Sequence, residues 1–125
     1  MRDPFKLLII DDSDEILTVL TNFFKKKKFQ VVSASNGLDA LKLIEEKDAY
    51  FDLIITDLVL PNISGVAITT IVKKKFPDTP VIAITGWGEH PESLAKEARA
   101  DVVLEKPFKL PDVEKLVNQL LSIND

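Results

Sequence analysis

The sequence contains no cysteine and only one histidine, His90, among its 125 residues. These shortages exclude disulfides, iron–sulfur clusters, cysteine-based zinc sites and multi-histidine metal sites, and they leave little room for a phosphohistidine carrier. No apolar run approaches the roughly 20 residues that span a bilayer. Residues 1–6 also lack the apolar stretch of a signal peptide. We therefore expect a cytoplasmic domain without membrane contact of its own, which leaves open tethering through a neighbouring domain.

The composition is that of one acidic globular domain. The formal net charge of −4 at pH 7 argues against direct binding to nucleic acid. Hydrophobic residues make up 46% of the chain and charged residues 29%, which is ordinary for a globular protein. A chain of this length provides one hydrophobic core.

Five short apolar runs alternate with segments of helical periodicity. Most of the runs are continuous, which is typical of strands covered on both faces. The runs are Leu7–Ile10, Gln30–Ala34, Leu53–Thr56, Val81–Thr85 and Val102–Leu104. In the second helical segment Leu38, Leu41 and Ile44 are predicted to share a buried face, and the segment at 91–99 is a short, weak helix. This alternation predicts an α/β domain with a parallel sheet, whose ligands bind at the carboxyl ends of the strands.

Acidic side chains follow two of these runs. Asp11 and Asp12 end the first run, and Asp57 ends the third. At one edge of a sheet two such charges about 4 Å apart repel by roughly 4 kcal/mol at an effective dielectric near 20, which a divalent cation would relieve. Oxygen ligands without nearby Cys or His favour Mg²⁺ or Mn²⁺. The alternative, that Asp11 or Asp12 caps the first helix, explains only one of the three acids.

A threonine and a lysine end the fourth and fifth runs. The Thr85 hydroxyl can hydrogen-bond to a phosphoryl oxygen, although a strand-end threonine is also an ordinary β residue. Lys106 follows a run expected to be buried and would need an anionic partner, unless it is a surface lysine that reaches solvent. The Lys106–Pro107 bond can be cis. A carboxylate such as Asp57 can attack phosphorus to form an acyl phosphate, so the set suits phosphoryl transfer onto Asp57.

The order of these residues along the chain resembles the receiver domain of two-component response regulators. The motifs that carry the resemblance are Leu8–Ser13, Asp57–Gly65, Lys106–Phe108 and the turn Ser35–Gly37. They extend over nearly the whole chain, so the resemblance implies a single receiver domain over residues 5–122. It also implies a flavodoxin-like (βα)5 fold, with five parallel strands in the order 2-1-3-4-5 and helices on both faces.

The resemblance further implies a function and partners. A histidine kinase or histidine phosphotransfer protein would donate its phosphoryl group to Asp57, and a conformational change would signal to a partner or an output domain. Mg²⁺ would be bound directly by Asp12, Asp57 and the Val59 carbonyl and through water by Asp11, while Thr85 and Lys106 would contact the phosphoryl group. Such a domain catalyses only its own phosphorylation and dephosphorylation. It would be a monomer or a weak, phosphorylation-dependent homodimer.

Two positions qualify this expectation. Many receivers carry Tyr or Phe three residues before the lysine, where this chain has Val103. Unless Val103 is simply part of the core, signalling here must rely more on Thr85, the loop around Gly86 and the predicted fourth helix. Trp87, two residues after Thr85, and Val59, two residues after Asp57, would flank the site and limit attack by water on the acyl phosphate.

Two other functions remain open from the residues alone. A small phosphatase or phosphotransferase with an aspartyl nucleophile would need a general acid near Asp57, where Val59 stands, and a cap domain for its substrate. A receiver used only for protein binding would not need the complete set of site residues. In either kind of receiver, partner choice is expected to depend on Ile16, Leu17 and Leu20 in the first helix and on the loop before the last helix.

Overall fold

The computed structural model describes residues 4–86 and 99–123, which form five strands and four helices. The elements are β1 Lys6–Ile10, α1 Asp14–Lys26, β2 Gln30–Ala34, α2 Gly37–Glu45, β3 Leu53–Asp57, α3 Gly65–Lys75, β4 Val81–Thr85, β5 Val102–Glu105 and α4 Leu110–Leu121. All strands are parallel and lie in the order β2-β1-β3-β4-β5, which confirms the predicted fold class. Residues 91–98 of the helix predicted at 91–99, together with Trp87 and His90, lie outside the described residues.

The three central strands differ from the two at the edges of the sheet. The residues of β3 and β4 are all buried and those of β1 nearly so, as expected for strands covered on both faces. Strands β2 and β5 are only partly buried. The expectation that Lys106 follows a buried strand is therefore wrong, because β5 is an edge strand. Val103 in β5 is 37% exposed, so it is not a core residue either.

Helices cover both faces of the sheet, because successive strand residues point to opposite sides. On one face the buried residues of α1 and α4 pack against alternate residues of the strands: Leu7, Ile9, Leu20, Phe24, Ile55, Ile82, Val113 and Val117. On the other face α2 and α3 do the same: Leu8, Ile10, Ala40, Ile44, Ile54, Ile68 and Val72. Leu38 is 45% exposed, so its predicted place on the buried face of α2 is wrong. No helix in residues 4–86 and 99–123 is long and apolar enough to cross a membrane.

Side-chain caps fix where the first three helices begin. The capping hydrogen bonds are from Ile16 N to Ser13 Oγ at 3.3 Å, from Asp39 N to Asn36 Oδ1 at 2.8 Å and from Ala67 N to Ser64 Oγ at 3.1 Å. Each cap satisfies a backbone donor that a helix otherwise leaves unpaired. Because each helix follows the carboxyl end of a strand, the caps hold the loops at that edge in place.

Candidate functional site

The three predicted acids lie together at the carboxyl edge of the sheet. One carboxylate oxygen from each of Asp11, Asp12 and Asp57 lies within 4.8 Å of the other two. Asp11 and Asp57 are buried, and Asp12 is exposed. Neighbouring strands β1 and β3 end side by side, with Ile10 paired to Thr56, so the residues that follow them meet. One cation could contact all three carboxylates at this spacing.

Backbone amides two residues further along the chain orient two of these carboxylates. Ser13 N donates to Asp11 Oδ1 at 2.8 Å, and Val59 N donates to Asp57 Oδ1 at 2.9 Å. An Asp at a strand end commonly forms such a local bond with the backbone two residues on. The sequence contained this signal, but our predictions for Val59 concerned only its carbonyl and its side chain, not its amide. The amide of Val59 fixes the plane of the Asp57 carboxylate.

Lys106 lies between the two buried carboxylates. Its Nζ donates a 2.8 Å hydrogen bond to Asp57 Oδ2 and lies 3.3 Å from Asp11 Oδ2. The second approach is poorly aligned, so it provides charge attraction without a hydrogen bond. The backbone of Lys106 is held by its own bond to Thr85 O at 2.8 Å, and the Lys106–Pro107 peptide is cis. This is not the position of a lysine that merely reaches solvent.

The pKa values of Asp11 and Lys106 are both raised, so the site favours positive charge. Burial raises the pKa of Asp11, and the nearby Asp57 charge adds to this, although the Ser13 amide and Lys106 oppose it. Burial lowers the pKa of Lys106, but the hydrogen bond and charge of Asp57 and the charge of Asp11 outweigh it, so this pKa is raised. The ammonium is therefore charged at neutral pH, while ionised Asp11 is destabilised.

Two buried oxygens at this edge have no hydrogen-bond partner within the described ranges. They are Asp11 Oδ2 and Thr85 Oγ1. An unpaired buried oxygen is costly, and such atoms commonly mark the place of a ligand. Asp57 pairs with Ile84, so Thr85 lies one residue further along the adjacent strand, at the same edge. A cation beside Asp11 and an anionic group beside Thr85 would satisfy both atoms, so the residues present fit a divalent cation with oxygen ligands.

The loop after β3 presses closely on Asp57. A Cβ at Gly65 would lie 1.8 Å from Asp57 O, so only glycine lets α3 begin here. Gly65 N donates to Leu58 O at 3.0 Å, and Asn62 has a φ of 72°, which Asn tolerates better than most residues. The sequence indicated a shaped loop but not these contacts. Val59 in this loop is 50% exposed beside the site, and Trp87 is outside the described residues.

An apolar groove of about 580 Å³ opens beside Lys106. It runs between the first half of α1 and the loop that leads into α4. Its lining comprises Glu15, Ile16, Val19, Leu20, Gly86, Lys106, Pro107, Phe108 and Leu110. Ile16 and Leu20 had been predicted as partner residues, whereas Val19 had not; Leu20 is fully buried, so its predicted place on the exposed partner surface is wrong, and Val19 is 45% exposed. Leu17 is partly buried and packs into the core on this face.

Comparisons with known proteins agree with this arrangement. Residues 7–118 match the response regulator receiver domain. The transcriptional regulatory protein SrrA of Staphylococcus aureus is 32% identical over 117 residues, which are 93% of this chain and 47% of that protein. This chain thus spans about half the length of the curated relatives it matches.

Solved structures give the same result. A response regulator receiver domain protein from Clostridium thermocellum superposes with a TM-score of 0.85 at 30% identity, over 94% of each chain. The response regulator TrrA from Thermotoga maritima, in complex with Mg²⁺-BeF, gives a TM-score of 0.82 at 28% identity, over 94% of this chain and 99% of that one.

Proposed function

Because the chain belongs to the response regulator receiver domain family, we propose that it accepts a phosphoryl group on Asp57 from a phosphohistidine in a partner protein. The observation that carries the proposal is the position of Lys106, whose ammonium binds Asp57 Oδ2 at 2.8 Å and lies 3.3 Å from Asp11. A nucleophilic carboxylate, a fixed ammonium and the buried carboxylate of Asp11 occupy one edge of the sheet. This arrangement suits transfer of a group that carries negative charge.

The chemistry follows from how Asp57 is held. One of its carboxylate oxygens attacks phosphorus, an O–P bond forms, and the P–N bond to the donor imidazole breaks with its electron pair leaving on nitrogen. The Val59 amide keeps the carboxylate plane fixed, which lowers the cost of reaching an in-line geometry. Lys106 offsets negative charge on the transferred group, and the unpaired Thr85 hydroxyl can donate a hydrogen bond to one of its oxygens.

The same site would hold Mg²⁺, or Mn²⁺ in its place. Asp12, Asp57 and the Val59 carbonyl would be direct ligands, and Asp11 would act through water. The donor set is entirely oxygen, which matches the preference of these cations. When bound, the cation supplies positive charge that stabilises the transferring phosphoryl group. The similarity to TrrA, whose solved complex contains Mg²⁺-BeF, supports this proposal.

The groove beside Lys106 is the proposed docking place for the phosphodonor. A donor histidine must come within bonding distance of Asp57, and the groove opens at Lys106. Ile16, Val19 and Phe108 offer an apolar surface to a helix that carries the histidine among apolar residues. Receiver domains in general have histidine kinases as phosphodonor partners, and this surface would select among them.

Phosphorylation by a small acyl phosphate tests the proposal without a partner. The chain is incubated with Mg²⁺ and the donor, and intact mass is recorded for wild type, Asp57→Asn and Asp52→Asn. Asp52 precedes the same strand at its opposite end, where its carboxylate accepts from Lys6 N at 2.7 Å, so it is a matched control. We expect one added phosphoryl group on wild type and Asp52→Asn, and none on Asp57→Asn or without metal. Equal modification of all three chains would refute the proposal.

A further inference from the structure

The first residue of α2 is in direct contact with the loop that follows Asp57. Gly37 is buried, and a Cβ at this position would lie 2.0 Å from Ile63 O, 2.8 Å from Ile63 Cβ and 2.9 Å from Ile63 C. Real Cβ atoms essentially never come within 3.0 Å of another heavy atom in this way. Two of the three atoms belong to the backbone, so no side-chain rotation can relieve the overlap.

The backbone conformation does not explain the glycine. Gly37 is the first residue of a regular helix, does not have a left-handed φ, and follows the well-formed cap Asn36. At such a position alanine would be favoured, since glycine in a helix costs roughly 0.5–1 kcal/mol relative to alanine. The close contact with Ile63 is therefore the reason that a side chain is absent here.

The contact is connected to the phosphoacceptor by a short path. Ile63 lies in the loop whose far end is closed by the hydrogen bond from Gly65 N to Leu58 O at 3.0 Å. Leu58 precedes Val59, whose amide donates to Asp57 Oδ1 at 2.9 Å. Gly65 also packs directly against the backbone of Asp57, because a Cβ at this position would lie 1.8 Å from Asp57 O. The loop is thus held between the first residues of α2 and α3.

We propose that Gly37 is a positioning residue for phosphorylation. By allowing α2 to start against the Ile63 carbonyl, it sets the place of the loop, and so the place of the Val59 amide that orients Asp57. The inference rests on the proposed function, since it concerns the geometry of that same site. Gly37 contacts no reacting atom and acts only through the loop.

The substitution Gly37→Ala separates this role from helix stability. To accommodate the methyl group, Ile63 O must move by about 1 Å, from 2.0 Å to at least 3.0 Å from the new Cβ. A displacement of this size in positioning groups can reduce a rate about 100-fold. We expect phosphorylation by acyl phosphate at saturating Mg²⁺ to be roughly 10- to 100-fold slower. Leu38→Ala is the matched control, because Leu38 is the next residue of the helix and is exposed.

Amide NMR spectra show whether the displacement at Ile63 reaches the Val59 amide that orients Asp57. We expect Gly37→Ala to be folded, with shifted amide resonances at Leu58, Val59 and Gly65 and a slower reaction, whereas Leu38→Ala matches wild type in both. Unchanged resonances at these three positions, or a wild-type rate with shifted resonances, would overturn the inference.

Two further results keep the inference testable if Gly37→Ala does not fold. Ile63→Ala retains the carbonyl and Cβ that contact Gly37, so it must react within about threefold of wild type, and a larger loss would overturn the inference. If wild type itself takes no phosphoryl group, the proposed function fails and this inference fails with it. If wild type reacts and Gly37→Ala reacts equally fast, only the inference fails.

Discussion

Replacing Asp11 by Asn is predicted to stabilise the metal-free chain. Asp11 is buried, its Oδ2 has no hydrogen-bond donor among the described residues, and burial raises its pKa. Asn retains the oxygen that accepts from Ser13 N at 2.8 Å, so the local turn is kept. The substitution therefore removes the charge with little change in shape.

The repulsion of the Asp11 charge by the neighbouring acids and its attraction to Lys106 largely offset each other. At an effective dielectric of about 20, a separation of at most 4.8 Å from Asp57 corresponds to a repulsion of roughly 3.5 kcal/mol or more. The 3.3 Å approach of Lys106 corresponds to an attraction of roughly 5 kcal/mol on the same scale. Exposed Asp12 adds a weaker repulsion. The remaining term is the burial of a carboxylate, which costs several kcal/mol, so we expect Asp11→Asn to gain about 2 kcal/mol.

Thermal unfolding in the presence of a chelator measures this gain. A change of about 2 kcal/mol corresponds to a rise in Tm of roughly 5–10 °C for a chain of this size. With Mg²⁺ present we expect wild type to melt above Asp11→Asn. A ligand at 100 times its Kd stabilises wild type by about 2.7 kcal/mol, whereas the variant has lost one carboxylate of the site and gains less. A metal-free variant that melts below wild type would refute the reasoning, since ionised Asp11 would then be net favourable.

The pH dependence of the same comparison has a definite sign. The pKa of Asp11 is raised in the folded chain above its ordinary value of 3.8, so the folded state binds its proton more tightly than the unfolded state does. The contribution of Asp11 to stability is therefore present below about pH 4 and is lost as the pH rises through the folded pKa. Without metal, the Tm advantage of Asp11→Asn should grow over that window and then become constant. An advantage that shrinks with rising pH would contradict the assigned direction.

Four further substitutions test other parts of the site. Lys106→Met leaves the Asp57 carboxylate without its ammonium partner. We expect the free energy of unfolding without metal, measured by chemical denaturation, to fall by about 1–3 kcal/mol, and phosphorylation to be at least 100-fold slower. An unchanged rate would exclude a role for the ammonium. Thr85→Val removes a buried hydroxyl that has no partner among the described residues, so stability should be equal or up to about 1 kcal/mol higher while phosphorylation slows; reduced stability would indicate a structural bond instead. Val59→Asn and Trp87→Ala should shorten the lifetime of the acyl phosphate by admitting water, and rates equal to wild type would exclude this protective role.

The sequence was sufficient for the fold because its main signals are local. Continuous apolar runs such as Leu53–Thr56 are read directly as central strands, and an Asp or Lys directly after a run must lie at the carboxyl edge of a parallel sheet. The resemblance to receivers added the strand order. Predictions about the edge strands of the sheet were weaker. The burial of Val103 depends on whether its strand is outermost, and the apolar run that contains Val103 does not indicate this.

Close backbone contacts could not be predicted from the sequence. Leu38 fits the helical period of α2, yet it is exposed, because the buried face of the helix is formed by Gly37, which contacts Ile63, together with Ala40 and the correctly predicted Ile44. The same limitation applies to Gly65, whose need for glycine depends on the position of Asp57 O. Such contacts join residues that are distant in sequence, and only the assembled fold brings them together. The roles of the site residues stay predictions.

The measurement that tests the central claim most directly is the location of the phosphoryl group. The chain is phosphorylated by acyl phosphate with Mg²⁺, treated with borohydride, which reduces an aspartyl phosphate to homoserine, and mapped by peptide mass spectrometry. We predict homoserine at position 57 and at no other aspartate, with none formed when Mg²⁺ is omitted. Homoserine at Asp11 or Asp12 instead, or a phosphoryl group that resists borohydride, would contradict the account.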